Sequence, residues 1–453
     1  MRRSLLTSFR PRAIAAVLVL FVAIESAAEQ VPIIMDGLLD DWGGVAVAYD
    51  DPAGDGGASG IDLGRLWVAD DQDFLFLRFE LGTEVDLSEN NNLVLYLDTD
   101  ANSATGLSVA GLGAELEWRY GDRAGTFYYQ AQSTTVYQWD LDLRGGPTVS
   151  ATEFEFGVGR HALPDDVHPL FTGSVVRIAL LDAGGDQLPD AGDTVSYTFD
   201  QGQLPPETVI PFAPDTPADL RVVTYNVLTD GPWVYGIEPR FGRQFAAVVP
   251  DIVNLQEVYN HSAADAADLV GRWVDPEPGD VWYAAGNADC KTVSRYPILG
   301  SWGLDGNLAV LIDTTPVLGS QLLVINAHLP CCENDASRQA EVDRIMAFIR
   351  DAKQPGGALT LASDTPIMVT GDLNLVGLAQ QLTTLLTGDI VNPGFGPDFT
   401  PDWDGTDLAD LISRLTERRM GYTWRDSTTY FWPGHLDYFI YTDHVLDVGN
   451  HFV

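Results

Sequence analysis

Two different grammars of apolar and polar positions divide the chain. From about residue 30 to 200, short runs alternate apolar with polar residues and are rich in β-branched and aromatic side chains. Trp67 to Leu81, Asn92 to Asp100, Ala114 to Tyr120, Thr126 to Gln132, Thr152 to Val158, Val175 to Asp182 and Thr194 to Asp200 read as strands, with Gly, Asp and Asn clusters between them. Many strands with no helix among them predict an all-β sandwich, because each strand has only other strands against which to bury its apolar face.

A proline-rich stretch, residues 201–219, follows; Pro205, Pro206, Pro211, Pro214 and Pro217 predict an extended, semi-stiff linker. From Leu220 to Val453 the pattern alternates strands with helices. RVVTYNVL, DIVNLQEV, DVWYAAG, TVSRYPIL, LAVLIDT, QLLVINAHL, PIMVTGDLN and LDYFIYT read as strands, and SAADAADLVGRWV, SRQAEVDRIMAFIRDAK and VGLAQQLTTLLTG as helices. In the second helix Val342, Ile345, Met346, Phe348 and Ile349 form one stripe, and Asp335 or Ser337 is placed to cap it. The expected architecture is a layered α/β domain.

The first 28 residues follow other rules. Arg2, Arg3, Arg10 and Arg12 precede the apolar run Ala13 to Ile24, and Ser26-Ala27-Ala28 offers small residues for cleavage. This is the layout of a signal peptide and predicts a secreted or periplasmic chain; the run is too short to span a bilayer, and no transmembrane segment is expected after cleavage.

Composition sharpens this picture. At 453 residues, 45% hydrophobic and 20% charged, the chain can build large cores, which excludes wholesale disorder. Its 25 Lys+Arg stand against 65 Asp+Glu, a net charge of −40, and both halves are acidic. Stable gripping of nucleic acid through phosphates needs clustered cations, so it is not expected here. The three cysteines are Cys290, Cys331 and Cys332. Neighbouring cysteines bond poorly, so Cys290 is expected to pair with Cys331 or Cys332.

The chemistry lies at the tips of the C-terminal strands. Asn226 closes RVVTYN, Gln256-Glu257 closes DIVNLQE, His328 closes LLVINAH, Asp372 and Asn374 close IMVTGDLN, and Asp437 opens LDYFIY. Aliphatic strands have no packing use for such groups, and burying them unpaired costs several kcal/mol, about 2–7 each. Their convergence at one site is therefore predicted.

The strings VTYNV, DIVNLQEV, SRYPI, NAHLP, GDLN and LDYFIYT, in this order over residues 220 to 453, resemble the endonuclease/exonuclease/phosphatase (deoxyribonuclease I-like) superfamily. The resemblance implies Mg²⁺-dependent (or Mn²⁺-dependent) hydrolysis of a phosphoester substrate. Glu257 and Asn226 would hold the metal, since Mg²⁺ takes few protein carboxylates. Asp372 would orient or deprotonate the attacking water, Asn374 would hold the phosphate or the nucleophile, and His328 would donate to a phosphate oxygen. Asp437 completes the catalytic set, and SRYPI is left outside it.

The sequence departs from the family at its end. The family closes with Ser-Asp-His and a further strand; here Thr442-Asp443-His444 follows Asp437 on the same strand, too close for the chain to leave the sheet and return. Asp443-His444 is thus expected to be a chance match and the last strand to be missing, with His435 and His451 as weak substitutes.

In the N-terminal part, IIMDGLLDDWGG with DLGRLWVADDQDFLFLRFEL and YLDTDANSATG resembles family 9 carbohydrate-binding and DOMON-like sandwich modules. The resemblance implies a glycan or cell-surface ligand. Asp98, Asp100 and Asn102, with Thr105-Gly106 beyond, offer oxygen ligands at spacing that suits Ca²⁺, or else form a solvated acidic turn. Trp42, Trp67 and Trp118 could stack on a sugar but are expected to fill the core. The functional expectation is a secreted Mg²⁺-dependent phosphodiesterase with an appended sandwich. The alternative is an extracellular binding protein with an inactive phosphoesterase-like half.

Overall fold

Alternation in the first half produces two antiparallel sheets. A computed structural model of the chain describes residues 31–200, 202–274 and 281–453; the signal-peptide expectation, residues 1–28, lies outside these. One sheet has the order Val47–Asp50, Arg65–Asp70, Phe74–Val85, Ala151–Gly159, Arg144–Gly146. The other runs Gln187–Leu188, Val175–Asp182, Leu93–Asp98, Leu116–Arg119, Ala124–Tyr129, Gln132–Val136, with Val195–Thr198 also on Val175–Asp182. Leu75, Leu77, Phe79, Phe154 and Phe156 of the first face Leu95, Leu97, Leu116, Trp118 and Phe127 of the second. The expected β-sandwich is formed.

The strand Phe74–Val85 is buried without alternation over Phe74 to Leu77 because its outer face is covered too. Ile33, Met35, Trp42, Trp67, Phe76 and Met420 make a second cluster there. Trp42, Trp67 and Trp118 are all buried, as core-filling residues should be.

The C-terminal half is the expected layered α/β domain. A four-stranded sheet has the order Val222–Asn226, Ile252–Gln256, Cys290–Ser294, Tyr283–Asn287. A six-stranded sheet has the order Ile298–Leu304, Asn307–Ile312, Leu322–His328, Ile367–Asp372, Asp437–Tyr441, Ala409–Asp410. Helices Glu238–Val248 and Ala263–Val274 bury Phe241, Phe245, Leu269 and Trp273 on the outside of the first sheet. Helix Asp335–Ala352 buries Val342, Ile345, Met346 and Ile349 on the outside of the second. The helix Glu238–Val248 was not legible in the sequence, where Pro239 and Gly242 break its pattern. Neither Asp335 nor Ser337 caps the second helix: Asn334 holds the cap position without a side-chain bond, and Asp335 instead accepts from Arg338 Nη2 at 2.6 Å.

The expectation for the cysteines changes. The cysteines are free. Cys290 is buried between the sheets among Ile252, Leu308 and Val310, whereas Cys331 and Cys332 are exposed, so the inward-facing thiol has no route to them. The proline-rich segment is extended but not free. Its Glu207 pairs with Arg414 and Arg419, Pro205 O accepts from Arg419 Nη2 at 2.9 Å, and Ile210 N donates to Thr416 O at 3.0 Å.

The two halves share structure. Trp432, from the C-terminal half, is buried in the sandwich core edge-on to Phe156. Gln138 Nε2 donates to Asp426 O at 2.9 Å, and Met35 and Val149 form β-bridges with Met420 and Gly377. Among the described residues, no helix is long and apolar enough to cross a membrane.

Candidate active site

Strand register gathers the polar tips. In the first sheet the parallel pair places Asn226 opposite Gln256, so Glu257 emerges beside Asn226. In the second, parallel pairing puts His328 opposite Asp372, and antiparallel pairing puts Asp372 opposite Asp437. The inner faces of the sheets are apolar at their far end, around Ile252, Leu308 and Val324. Toward these tips they become polar: Gln256 Nε2 donates to Asn326 Oδ1 at 2.7 Å, and Thr292 Oγ1 to Asn254 Oδ1 at 2.8 Å. The Gln256–Asn326 bond, made between the sheets, and the Asn254–Thr292 bond, made within one, hold the register on which the site depends.

One amide bridges the sheets at the cleft. Asn226 Nδ2 donates to Glu257 Oε1 at 2.9 Å and to Asp372 Oδ2 at 2.8 Å. The other Glu257 oxygen accepts from Thr229 N at 2.7 Å and Thr229 Oγ1 at 3.1 Å. Leu228, Thr229 and Asp230 have left-handed φ of 52°, 50° and 57°, and Glu257 itself has φ 62°. Four such non-glycine residues cost of order 1–3 kcal/mol each, and strain of this kind gathers at functional sites.

His328 is held from behind by Asp289, whose Oδ2 lies 2.6 Å from Nδ1 and also accepts from Glu257 N at 3.1 Å. With Nδ1–H committed to Asp289, Nε2 is the nitrogen that faces Asp372, 4.0 Å away. The backbone N–H of His328 donates to Asn307 Oδ1 at 2.8 Å, and Asn307 donates in turn to Glu341 at 2.7 Å. Asn374 accompanies Asp372 in a tight turn: its N–H donates to Asp372 Oδ1 at 3.2 Å and its Nδ2 to Leu329 O at 2.9 Å. Asp437 is fixed through its N–H, which donates to Thr423 Oγ1 at 2.9 Å.

The cleft is strongly anionic. Burial, and then the charge of Asp372, push Asp437 up to about 7. Burial raises Asp372 as well, against the lowering effect of the Asn226 hydrogen bond. Burial alone would lower His328, but the Asp289 hydrogen bond and the charges of Asp372, Asp289 and Glu257 outweigh it and raise the imidazole above its usual value. Burial opposes the Asp289 charge too, yet the His328 bond holds this carboxyl below the usual range.

All six residues expected at the site, Asn226, Glu257, His328, Asp372, Asn374 and Asp437, lie at this end of the sheets. Asp289 was missed; it stands alone ahead of the strand Cys290–Ser294, and only tertiary pairing reveals its partner. Ser294 of SRYPI pairs with Ile252, at the end of the sheet away from Glu257. Thr442 bonds Ile367, the far end of the Asp372 strand, so Asp443-His444 points away from the cleft, and His444 lies near Asp402 and Asp404. His435 is buried against Tyr438, with burial holding it down at about 4, and His451 contacts Ser413. Neither joins the Glu257–Asp372 network.

Residues 223–451 match the Endonuclease/Exonuclease/phosphatase family, half of the chain. This chain belongs to that family. The match supports hydrolytic phosphoesterase chemistry for the C-terminal domain. Among solved structures, this family member is similar to a β-hairpin deletion mutant of beta toxin from Staphylococcus aureus, with 16% identity and a TM-score of 0.34, over 52% of this chain and 91% of that one. It is also similar to sphingomyelinase C from Streptomyces griseocarneus, at 20% and 0.33 over 51% and 86%, and to ANGEL2, a 2',3'-cyclic phosphatase, at 14% and 0.33 over 49% and 83%. No curated protein matches the chain.

In the sandwich, one oxygen each of Asp98, Asp100 and Glu115 lie within 4.8 Å of one another, a group that could hold a metal ion. Glu115 takes the place expected for Asn102, whose side-chain oxygen accepts from Ala104 N at 3.2 Å.

Proposed function

We propose that this protein is an exported phosphodiesterase that works with Mg²⁺ or Mn²⁺. The carrying observation is the hydrogen-bonded chain that runs from Thr229 through Glu257 and Asn226 to Asp372, with the Asp289–His328 pair set against it. The donor set suits a hard divalent ion. Four carboxylates, Glu257, Asp289, Asp372 and Asp437, crowd the cleft, and among the described residues His328 alone forms an ion pair with any of them. Glu257 and Oδ1 of Asn226, which keeps one lone pair after accepting from Leu228 N, would hold the ion. When bound, it would offset the negative charge of the phosphate.

The remaining roles belong to the chain's own groups. Asp372, raised by burial, takes the proton of the attacking water. Asn374 fixes the Asp372 carboxyl through its N–H and presents its amide beside it to the phosphate or the nucleophile. His328, whose protonated form Asp289 favours, donates from Nε2 to a phosphate oxygen as charge builds there. Asp437, half-buried on the strand beside Asp372, is raised by burial and then by the Asp372 charge, and joins the acidic set of the cleft. Export is supported by the amino-terminal sequence, Arg2 to Ala28. The sandwich, with its contacts to the loops after Asn374 and before Asp437, braces the site and leaves its other surfaces for a glycan or cell-surface ligand.

Turnover of a generic phosphodiester with and without Mg²⁺, beside Glu257→Ala, tests this. Metal-dependent turnover lost in the variant is expected; turnover that persists in Glu257→Ala removes the assignment. A second reading, an extracellular binding protein with an inactive half, draws on the placement of His444 away from the cleft. Absence of turnover with a folded wild-type chain would favour it.

A further inference from the structure

The sandwich carries a second carboxylate cluster, on the loop that joins Val47–Asp50 to Arg65–Asp70. This loop meets the turn between Val175–Asp182 and Gln187–Leu188. Ala58 N donates to Gly184 O at 3.2 Å, Ser59 Oγ to Asp182 Oδ2 at 2.5 Å, and Leu63 N to Asp186 Oδ2 at 2.6 Å. Gly57 is so close to Gly184 that a Cβ would stand 1.8 Å from its carbonyl oxygen. Asp62 braces the loop from within, accepting from Gly54 N and Gly56 N at 2.9 Å.

Inside this junction one oxygen each of Asp51, Asp55 and Asp186 lie within 4.8 Å of one another. Asp51 is only 6% exposed, and both of its carboxylate oxygens are buried with no hydrogen-bond partner. Asp186 is 5% exposed. Some buried carboxylates elsewhere in the sandwich have cations: Asp70 pairs with Arg160, and Asp98 lies 3.5 Å from Arg177. Among the described residues, no arginine, lysine or histidine pairs with Asp51, Asp55 or Asp186. A buried, unpaired carboxylate beside two others is the most costly way to arrange these groups unless a positive charge sits among them.

We propose that Asp51, Asp55 and Asp186 form a calcium site that fastens the Asp51–Gly64 loop of one sheet to the Asp182–Gln187 turn of the other. The donors are all hard oxygens, with no imidazole or thiolate, which excludes the preferences of zinc and copper. Two carboxylates on a glycine-rich loop and a third on the facing turn suit the six to eight flexible oxygen ligands of Ca²⁺ better than the few carboxylates and near-ideal octahedron of Mg²⁺. The site is separate from the Asp98 cluster and from the cleft, and does not depend on the phosphodiesterase reading.

The test uses the full chain, stripped with EDTA and kept in excess Mg²⁺ so that the cleft is saturated. Radioactive Ca²⁺ is counted by equilibrium dialysis, and thermal midpoints are measured with and without Ca²⁺. Asp51→Asn should bind one Ca²⁺ fewer per chain than wild type and lose the Ca²⁺-dependent rise in midpoint. An unchanged Ca²⁺ count in Asp51→Asn overturns the proposal. Should that variant not fold, crystals of the wild type grown in Ca²⁺ decide: an anomalous peak about 2.3–2.6 Å from carboxylate oxygens of Asp51 and Asp186 is expected. Its absence also overturns the proposal.

Discussion

Replacing Asp289 by Asn tests the electrostatic design of the cleft at the residue that the sequence hid. The carboxylate lies 2.6 Å from His328 Nδ1, and the two side chains are 12% and 18% exposed, so water screens little of the interaction. A hydrogen bond to a charged group contributes about 1.5–3 kcal/mol, which converts to a roughly ten- to hundredfold change in an equilibrium. Asn keeps an acceptor for Glu257 N but loses the charge. His328 is raised above its usual 6.5. The stabilisation it gains by protonation is therefore full below 6.5 and lost as pH rises through the raised value. In Asp289→Asn the imidazole midpoint should fall, and the stability gap to wild type should be largest below 6.5 and shrink in alkaline solution. NMR titration of the His328 ring in EDTA, with thermal melts across the same range, measures both. A midpoint that stays or rises, or a stability gap indifferent to pH, refutes the coupling. Under turnover the same variant should lose about ten- to hundredfold in kcat/KM.

Other expectations follow from the packing. Trp432→Ala removes an indole from the sandwich core and should cost about 3–5 kcal/mol, read as one cooperative loss in both halves by denaturant melts. Gly371→Ala would place a Cβ 1.8 Å from Ala327 O at φ 145°, forcing apart the strands that carry His328 and Asp372; a loss of about 1–3 kcal/mol or more and of turnover is expected. Asp437→Asn removes a carboxyl held at about 7 against its usual 3.8. Its folded-state value is raised, so wild type loses stability as pH rises through that window, and melts in EDTA should show the variant gaining on wild type between about 4 and 7.

Much of the architecture was legible beforehand. Helix Ala263–Val274 and the buried stripe of Asp335–Ala352 follow the 3.6-residue period, and polar residues at the tips of aliphatic strands marked Asn226, Glu257, His328 and Asp372. Helix Glu238–Val248 did not, because its Pro and Gly mimic a loop. Cys290 was misjudged because a count of thiols says nothing of which face they occupy.

The sequence alone determined what each segment must do with its own side chains: which strands are covered on one face, which ends carry polar groups, and that acidic residues far outnumber basic ones. Only the tertiary structure decided which groups answer one another. Asn226 and Asp372 are 146 residues apart and meet only because two sheets stack in one register, Asp289 finds His328 across that stack, and Trp432 joins the halves that composition had separated. Apolar periodicity is a local property set by backbone geometry, whereas charge compensation and hydrogen-bond satisfaction are settled between segments distant in the chain, where no local pattern records the partner.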